Sequence, residues 1–258
     1  VDTCLQRQQM PALLLKLLLL TATTLSSGQA MTDEIRIAVA SNFAGAIKAA
    51  ANHFEADTGH NVTLSFGSTG KHYAQIRNGA PFDAFFAADA RRPELLENEG
   101  LAITASRFTY AVGKLILWSP VAAYVDHQGE ILKQGTFRHL AIANPELAPY
   151  GVAAREVLME RGLWEKLEKR LVRGENISQA FQFVASGNAQ LGFVAWSQLK
   201  RPGHKVEGSF WDVPARLYSP IRQQAVLLKD TSAGQAFMSF MRSEKAIRII
   251  RDHGYETP

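Results

Sequence analysis

Glu34-Ile-Arg-Ile-Ala-Val-Ala40 runs without a break into Ser41-Asn42-Phe43-Ala-Gly-Ala-Ile47, and the reading of this stretch decides the fold. Its first half is a short apolar run with partial alternation, the pattern of a strand. In its second half Phe43, Ile47, Ala50, Ala51 and Phe54 fall at i, i+4, i+7, i+8 and i+11. That spacing is one face of a helix, with Ser41 or Asn42 as N-cap and Gly59 near its end. The same succession recurs downstream. Residues 61–66 predict a strand, Gly67-Ser68-Thr69-Gly70 a turn, and residues 71–78 a helix. Residues 84–87 predict a third strand and 93–99 a third helix, while 112–118 and 139–143 read as buried strands. Ile177, Ala180, Phe181 and Val184 mark a further helix, and 191–195 and 224–228 further strands. Ala236, Phe237, Phe240 and Met241 give a last helical stripe. Strands alternating regularly with helices predict an α/β fold with mostly parallel sheets.

The wider composition is that of a globular protein: 258 residues, 47% hydrophobic and 20% charged, far too apolar for a disordered chain. Lys and Arg number 28 against 24 Asp and Glu. No window holds the five or six consecutive basic residues of a nucleic-acid arm, so no nucleic-acid partner is expected. The single cysteine, Cys4, excludes a disulfide framework and any Cys-based zinc or iron–sulfur site. From Met10, the candidate initiator, an apolar core interrupted by Lys16 leads to Ser26-Ser-Gly-Gln-Ala30. Small residues at Gly28 and Ala30 after such a core predict a secretory signal over residues 1–30. The core falls short of the ~20 apolar residues that span a bilayer comfortably; an N-terminal anchor is the alternative. Cleavage after Ala30 would leave no cysteine, which suits an oxidising compartment.

Small or hydroxyl residues recur at five places where a strand gives way to a helix. These junctions are Ala40-Ser41-Asn42, Gly67-Ser68-Thr69-Gly70, Ala87-Ala88-Asp89, Pro149-Tyr150-Gly151 and Asn176-Ile177-Ser178. In an open α/β sheet such junctions lie at the carboxyl edge, where ligands bind. Each helix start offers unpaired N–H groups and about half a positive charge, so several converging on one point would hold an anion without Lys or Arg. Taken singly, each is better read as an ordinary cap or turn; five of them in one chain, two with hydroxyls, point to a site. Enzyme motifs fail: Gly67-Ser68-Thr69-Gly70-Lys71 lacks the first glycine of a phosphate loop and has His72 in place of its Ser/Thr. Phe66 occupies the first glycine place of a G-x-S-x-G elbow. The seven histidines show no metal spacing and are expected in solvated or capping roles. Asp83 and Asp89 flank a strand as a possible carboxylate pair, but a turn and a helix start account for them. Lys71, at a helix start where the dipole disfavours it, faces either an anion or solvent.

At the same junctions the chain resembles the periplasmic molybdate-binding proteins of molybdate ABC transporters. The residues that carry the resemblance are Ile35-Arg-Ile-Ala-Val-Ala-Ser-Asn-Phe43, Phe66-Gly-Ser-Thr-Gly-Lys-His-Tyr-Ala-Gln-Ile76 and Gly79-Ala-Pro-Phe-Asp-Ala-Phe-Phe-Ala-Ala-Asp89. Weaker matches follow at Ile142–Glu146, Pro149–Gly151, Gly174–Ile177, Gly192–Ala195 and Gly254-Tyr255, so that roughly residues 33–258 are covered. The resemblance implies a two-lobed periplasmic binding protein of type II, each lobe a mostly parallel sheet flanked by helices. Lobe I would take residues 31–112 and 221–258, and lobe II residues 113–220. It further implies a molybdate or tungstate oxyanion in the cleft, with molybdenum present only within the oxyanion. The oxyanion would be held at Ser41, Ser68, Thr69 and Ala88, and through the backbone at Tyr150 and Ile177. No cofactor and no catalysis are expected. The implied protein is a periplasmic monomer that hands its anion to the membrane permease of an ABC importer. One departure stands out: where some members use a tyrosine hydroxyl, this chain has Ala195 beside Trp196. A receptor for sulfate or another anion is the nearest alternative. An α/β hydrolase is the enzyme alternative, without a legible nucleophile–base pair to support it.

Overall fold

A computed structural model describes residues 33–257; the expected signal segment lies outside the described residues. The strands are β1 (Glu34–Ala40), β2 (Asn61–Gly67), β3 (Ala84–Phe86), β4 (Phe108–Gly113) and β5 (Leu115–Ser119), then β6 (Leu140–Ala143), β7 (Leu171–Gly174), β8 (Leu191–Ala195), β9 (Ser209–Asp212) and β10 (Ile221–Leu227). The longer helices are α1 (Ala44–Thr58), α2 (Thr69–Arg77), α3 (Arg91–Asn98) and α4 (Pro149–Glu160), then α5 (Ile177–Ala185), α6 (Ser232–Phe240) and α7 (Glu244–Asp252).

The strands form two five-stranded sheets, ordered β2-β1-β3-β10-β4 and β7-β6-β8-β5-β9. The apolar runs are continuous because both faces of each sheet are covered. In β1, Ile35, Ile37 and Val39 pack with Phe43, Phe54 and Phe237 on one face, while Ala38 joins Phe85, Ile76 and Leu96 on the other. In the second sheet Leu140, Ile142, Leu191 and Phe193 share a core with Tyr150 and Val157, and Ala141 and Val194 join Val184 behind them. The chain leaves the first sheet after Gly113, enters the second at Leu115, and returns at Ile221.

Both sheets are mixed, which corrects the expectation of mostly parallel ones. β1 runs parallel to β2 and β3, and β6 parallel to β7 and β8. The strands next to the crossings reverse: β10 pairs antiparallel with β3 and β4, and β5 antiparallel with β8 and β9. A strand that re-enters a sheet from the far lobe needs no right-handed crossover and is free to run against its neighbours. Residues 112–118, expected as one buried strand, are divided between β4 and β5 at Lys114, the crossing point. β7, β9 and α7 had no sequence signal strong enough to call for them. Among the described residues no helix is long and apolar enough to cross a membrane.

Candidate functional site

All five junctions lie at the carboxyl ends of parallel strands: β1, β2 and β3 in the first sheet, β6 and β7 in the second. The two edges face each other across a cleft. Ser41, Ser68, Thr69, Ala88, Tyr150 and Ile177 all line one small, tight pocket there. Ala40, Asn42, Gly67, Ala148, Pro149 and Asn176 complete it. No Asp, Glu, Lys, Arg or His lines this pocket.

Local sequence explains each donor. Ser68, extended at φ −77° and ψ 147°, is the N-cap of α2, accepting from Lys71 N–H at 3.3 Å. The helix thus begins at Thr69, two residues before the expected start, and its first-turn amides face the cleft. Thr69 Oγ1 accepts from Ala88 N–H at 3.0 Å, so the Thr69 hydroxyl keeps its own proton for another acceptor. That bond also engages the Ala88 amide within the protein. α4 opens on Pro149 as its first residue, where the missing N–H loses nothing, and the first amide available is that of Tyr150. Asn176 caps α5, its Oδ1 accepting from Ser178 and Gln179 N–H at 3.0 and 3.1 Å. The first-turn amides of Thr69, Tyr150 and Ile177 have no intrahelical acceptor.

Ser41 and Asn42 were expected to cap α1, and neither does. They form a short 3-10 turn ahead of it, and the helix starts at Ala44 without a side-chain cap. Ser41 Oγ instead donates across the cleft to Asn176 Oδ1 at 3.1 Å and lies 3.4 Å from Ser178 N–H. Asn42 turns inward to Gln223 and Tyr255, at 2.7 and 3.0 Å. Asn42, expected as a cap, and Asn176, read in sequence only as a junction neighbour, both line the pocket. Neither Ala195 nor Trp196 reaches the pocket. Trp196 packs on the Phe210 ring and against Gly254, so it does not stand in for a tyrosine hydroxyl.

Other expectations resolve around the rim. Lys71 faces neither an anion nor open solvent alone; its Nζ lies 2.8 Å from Glu175 of the opposite edge. Gly70 N–H donates to Leu147 O at 2.8 Å, and Arg92 Nη2 to Glu146 O at 3.3 Å, both across the cleft. Asp89 accepts from Arg92 N–H at 2.9 Å, as a helix-start residue does. Asp83 is held by Arg36 N–H and Lys229 Nζ, at 2.7 and 2.9 Å. The two carboxylates serve structure and do not form a pair. His72 departs from the expected solvated or capping role. It is 3% exposed beneath Gly67, and Nδ1 meets Gln75 Oε1 at 3.0 Å while Nε2 is unpartnered. Burial pushes its pKa below the ordinary histidine value of 6.5. Burial also holds the Tyr110 and Tyr150 hydroxyls well above the usual tyrosine range. Among the described residues no cluster of His, Cys, Asp or Glu could hold a metal cation.

Such a pocket, built of hydroxyls and amides without a charged side chain, offers hydrogen-bond donors to a small oxyanion. A model of bacterial extracellular solute-binding proteins matches residues 35–256. The molybdate-binding protein ModA of Azotobacter vinelandii is 53% identical over 229 residues, 88% of this chain and 91% of that protein. ModA of Rhodobacter capsulatus is 48% identical over 243 residues, 92% of this chain and 95% of that protein. The solved periplasmic molybdate-binding protein of Azotobacter vinelandii superposes with a TM-score of 0.84 at 46% identity, covering 87% of this chain and 99% of that one. With its two sheets, its cleft and these relatives, the chain belongs to the family of bacterial extracellular solute-binding proteins.

Proposed function

We propose that the protein captures molybdate or tungstate outside the cytoplasm and delivers it to the permease of an ABC importer. The observation that carries this reading is the convergence of Ser41, Ser68, Thr69, Ala88, Tyr150 and Ile177, from both sheets, on one pocket without a charged side chain. Supporting it, high-identity relatives are named molybdate-binding proteins, and one such solved structure is described as periplasmic. The protein acts as a monomeric periplasmic receptor with no cofactor and no catalytic step, and molybdenum is its cargo.

Hydrogen bonds to a charged acceptor contribute ~1.5–3 kcal/mol each. Five or six of them supply about 8–18 kcal/mol before the costs of association and lobe closure. A submicromolar dissociation constant, about −8 kcal/mol, is within that range. Selectivity follows from the absence of a carboxylate in the wall. Asn176 Oδ1 already receives Ser41, Ser178 and Gln179, and the Ser68 and Thr69 hydroxyls already accept from the Lys71 and Ala88 amides. A phosphate carrying a proton would meet no anionic acceptor, and each unmade bond costs ~1–3 kcal/mol. Calorimetric titration should give submicromolar binding of molybdate, and phosphate should bind at least about tenfold more weakly. No molybdate binding below about 100 µM would overturn the function; displacement of bound molybdate by equimolar phosphate would overturn the account of selectivity.

A further inference from the structure

Behind the pocket, between the two places where the chain crosses from lobe to lobe, lies a buried cluster of polar side chains. Its centre is Gln223, fully buried in β10 at the bulge between Gln223 and Gln224. Gln223 Oε1 accepts from Asn42 Nδ2 at 2.7 Å and lies 3.1 Å from the Tyr110 hydroxyl. Its Nε2 donates to the Tyr150 hydroxyl at 3.2 Å. The Tyr110 hydroxyl also reaches Ala87 O at 3.0 Å. Tyr255 closes the group, accepting from Asn42 Nδ2 at 3.0 Å and donating to Asn42 O at 2.7 Å. Gly113, the last residue of β4 before the crossing, has no side chain because the space is taken: a Cβ there would strike the Tyr150 hydroxyl and lie 2.6 Å from Gln223 Nε2.

Two partners of this carboxamide, Asn42 and Tyr150, thus belong to pocket junctions, and its third, Tyr110, reaches a further junction through Ala87 O. Asn42 follows Ser41, Ala87 precedes Ala88, and Tyr150 carries the backbone amide that opens α4. Two of these junctions are in the first sheet and one is in the second. From this we infer that Gln223 is a positioning residue for the anion pocket: its single amide fixes the distance between the donors of the two lobes without touching the ligand. The inference rests on the proposed capture of an oxyanion. The amide supplies both an acceptor facing Asn42 and Tyr110 and a donor facing Tyr150. Methionine of similar length offers neither, and leaves the Asn42 and Tyr150 groups buried with fewer partners. A protonated glutamate offers both, whereas an ionised one offers no donor and adds a buried charge behind a site meant for a dianion.

The experiment compares molybdate binding by the unchanged chain, Gln223→Met and Gln223→Glu, between about pH 5.5 and about pH 8.5, with the melting temperature of each. The groups facing Gln223 are Asn42 and the tyrosines 110, 150 and 255, with Asp89 and Tyr218 farther out. Burial keeps those three tyrosines neutral across this range, and the Asp89 carboxylate is paired with the Arg92 guanidinium. Gln223→Met should bind at least about tenfold more weakly at every pH, the loss of one well-made hydrogen bond. Gln223→Glu should approach the unchanged chain at the acid end and weaken as pH rises, a slope that loss of stability alone would not produce. Should Gln223→Met fail to fold, the slope of Gln223→Glu decides. Folded variants that bind within twofold of the unchanged chain, with no added pH dependence, overturn the inference while leaving the function intact. An unchanged chain that binds no molybdate overturns the function, and this inference with it.

Discussion

The two edges of the cleft meet the pocket with different chemistry. The first sheet brings the hydroxyls of Ser41, Ser68 and Thr69, each within two residues of a strand's end. The second brings the backbone amides of Tyr150 and Ile177, whose side chains are buried in its own core. A hydroxyl can be removed by changing one residue. An amide can only be moved, by shifting the helix that carries it. The first edge is therefore open to side-chain substitution, and the second is protected by packing.

The sharpest way to break the second edge is Gly151→Ala. A Cβ at 151 would overlap the backbone of Ala143 and come within 2.8 Å of Asn144 C, and backbone cannot give as a flexible side chain can. The resulting overpacking costs ~1–3 kcal/mol of stability, and the displaced Tyr150 amide should weaken molybdate binding by more than about tenfold. Calorimetry on folded protein checks this. If Gly151→Ala bound normally, Tyr150 would not be a backbone donor.

The contrast between the edges is sharpened by pairing Ser41→Ala with Ile177→Val. Ser41→Ala deletes a donor and also leaves Asn176 Oδ1 with one partner fewer; binding should weaken by ~1–3 kcal/mol. Ile177→Val keeps its amide, so its affinity should stay within about twofold while stability drops by about 0.5–1.5 kcal/mol. Equal losses of affinity would reverse the assignment of side-chain and backbone roles.

His72, beneath the first edge, should show in the pH dependence of stability. Its folded-state pKa lies below the 6.5 of an exposed histidine, so below that value the unfolded chain takes up a proton that the native protein resists. Stability is therefore unaffected above neutrality and falls as pH drops below about 6.5. Melting curves of His72→Gln should decline less steeply over the same interval; parallel curves would mean that the imidazole titrates freely. The smallest effect belongs to the rim. The side chains of Lys71 and Glu175 are 54% and 44% exposed, and such a pair contributes at most ~1 kcal/mol. Lys71→Gln should weaken molybdate binding by less than about fivefold, and the difference should vanish in about 0.5 M salt.

The pocket was unusually legible because its parts are local. Capping and turn chemistry places Ser68 and Thr69 at the start of α2, Pro149 at the start of α4 and Asn176 before α5, each within a few residues of sequence. The same local logic misread Ser41 and Asn42. As hydroxyl and amide residues before an apolar stripe they look like caps, yet Asn176 and Gln223, 135 and 181 positions away, compete for them and win. His72 was misread for a related reason. A histidine four residues into a helix gives no local sign that Phe82, Phe85 and Gly67 will enclose it.

By itself the sequence determined the alternation of strands and helices, the junctions where donors collect, and the absence of enzyme motifs. All of these depend on residue spacing over one or two turns of chain. Only the tertiary structure decided that β5 and β10 run against their neighbours and that Lys71 meets Glu175. It alone shows Gln223, a polar residue in a strand of no special pattern, at the meeting point of both lobes. Contacts of that kind join segments more than a hundred residues apart. No local periodicity encodes them, because they exist only once two sheets have folded and closed on each other.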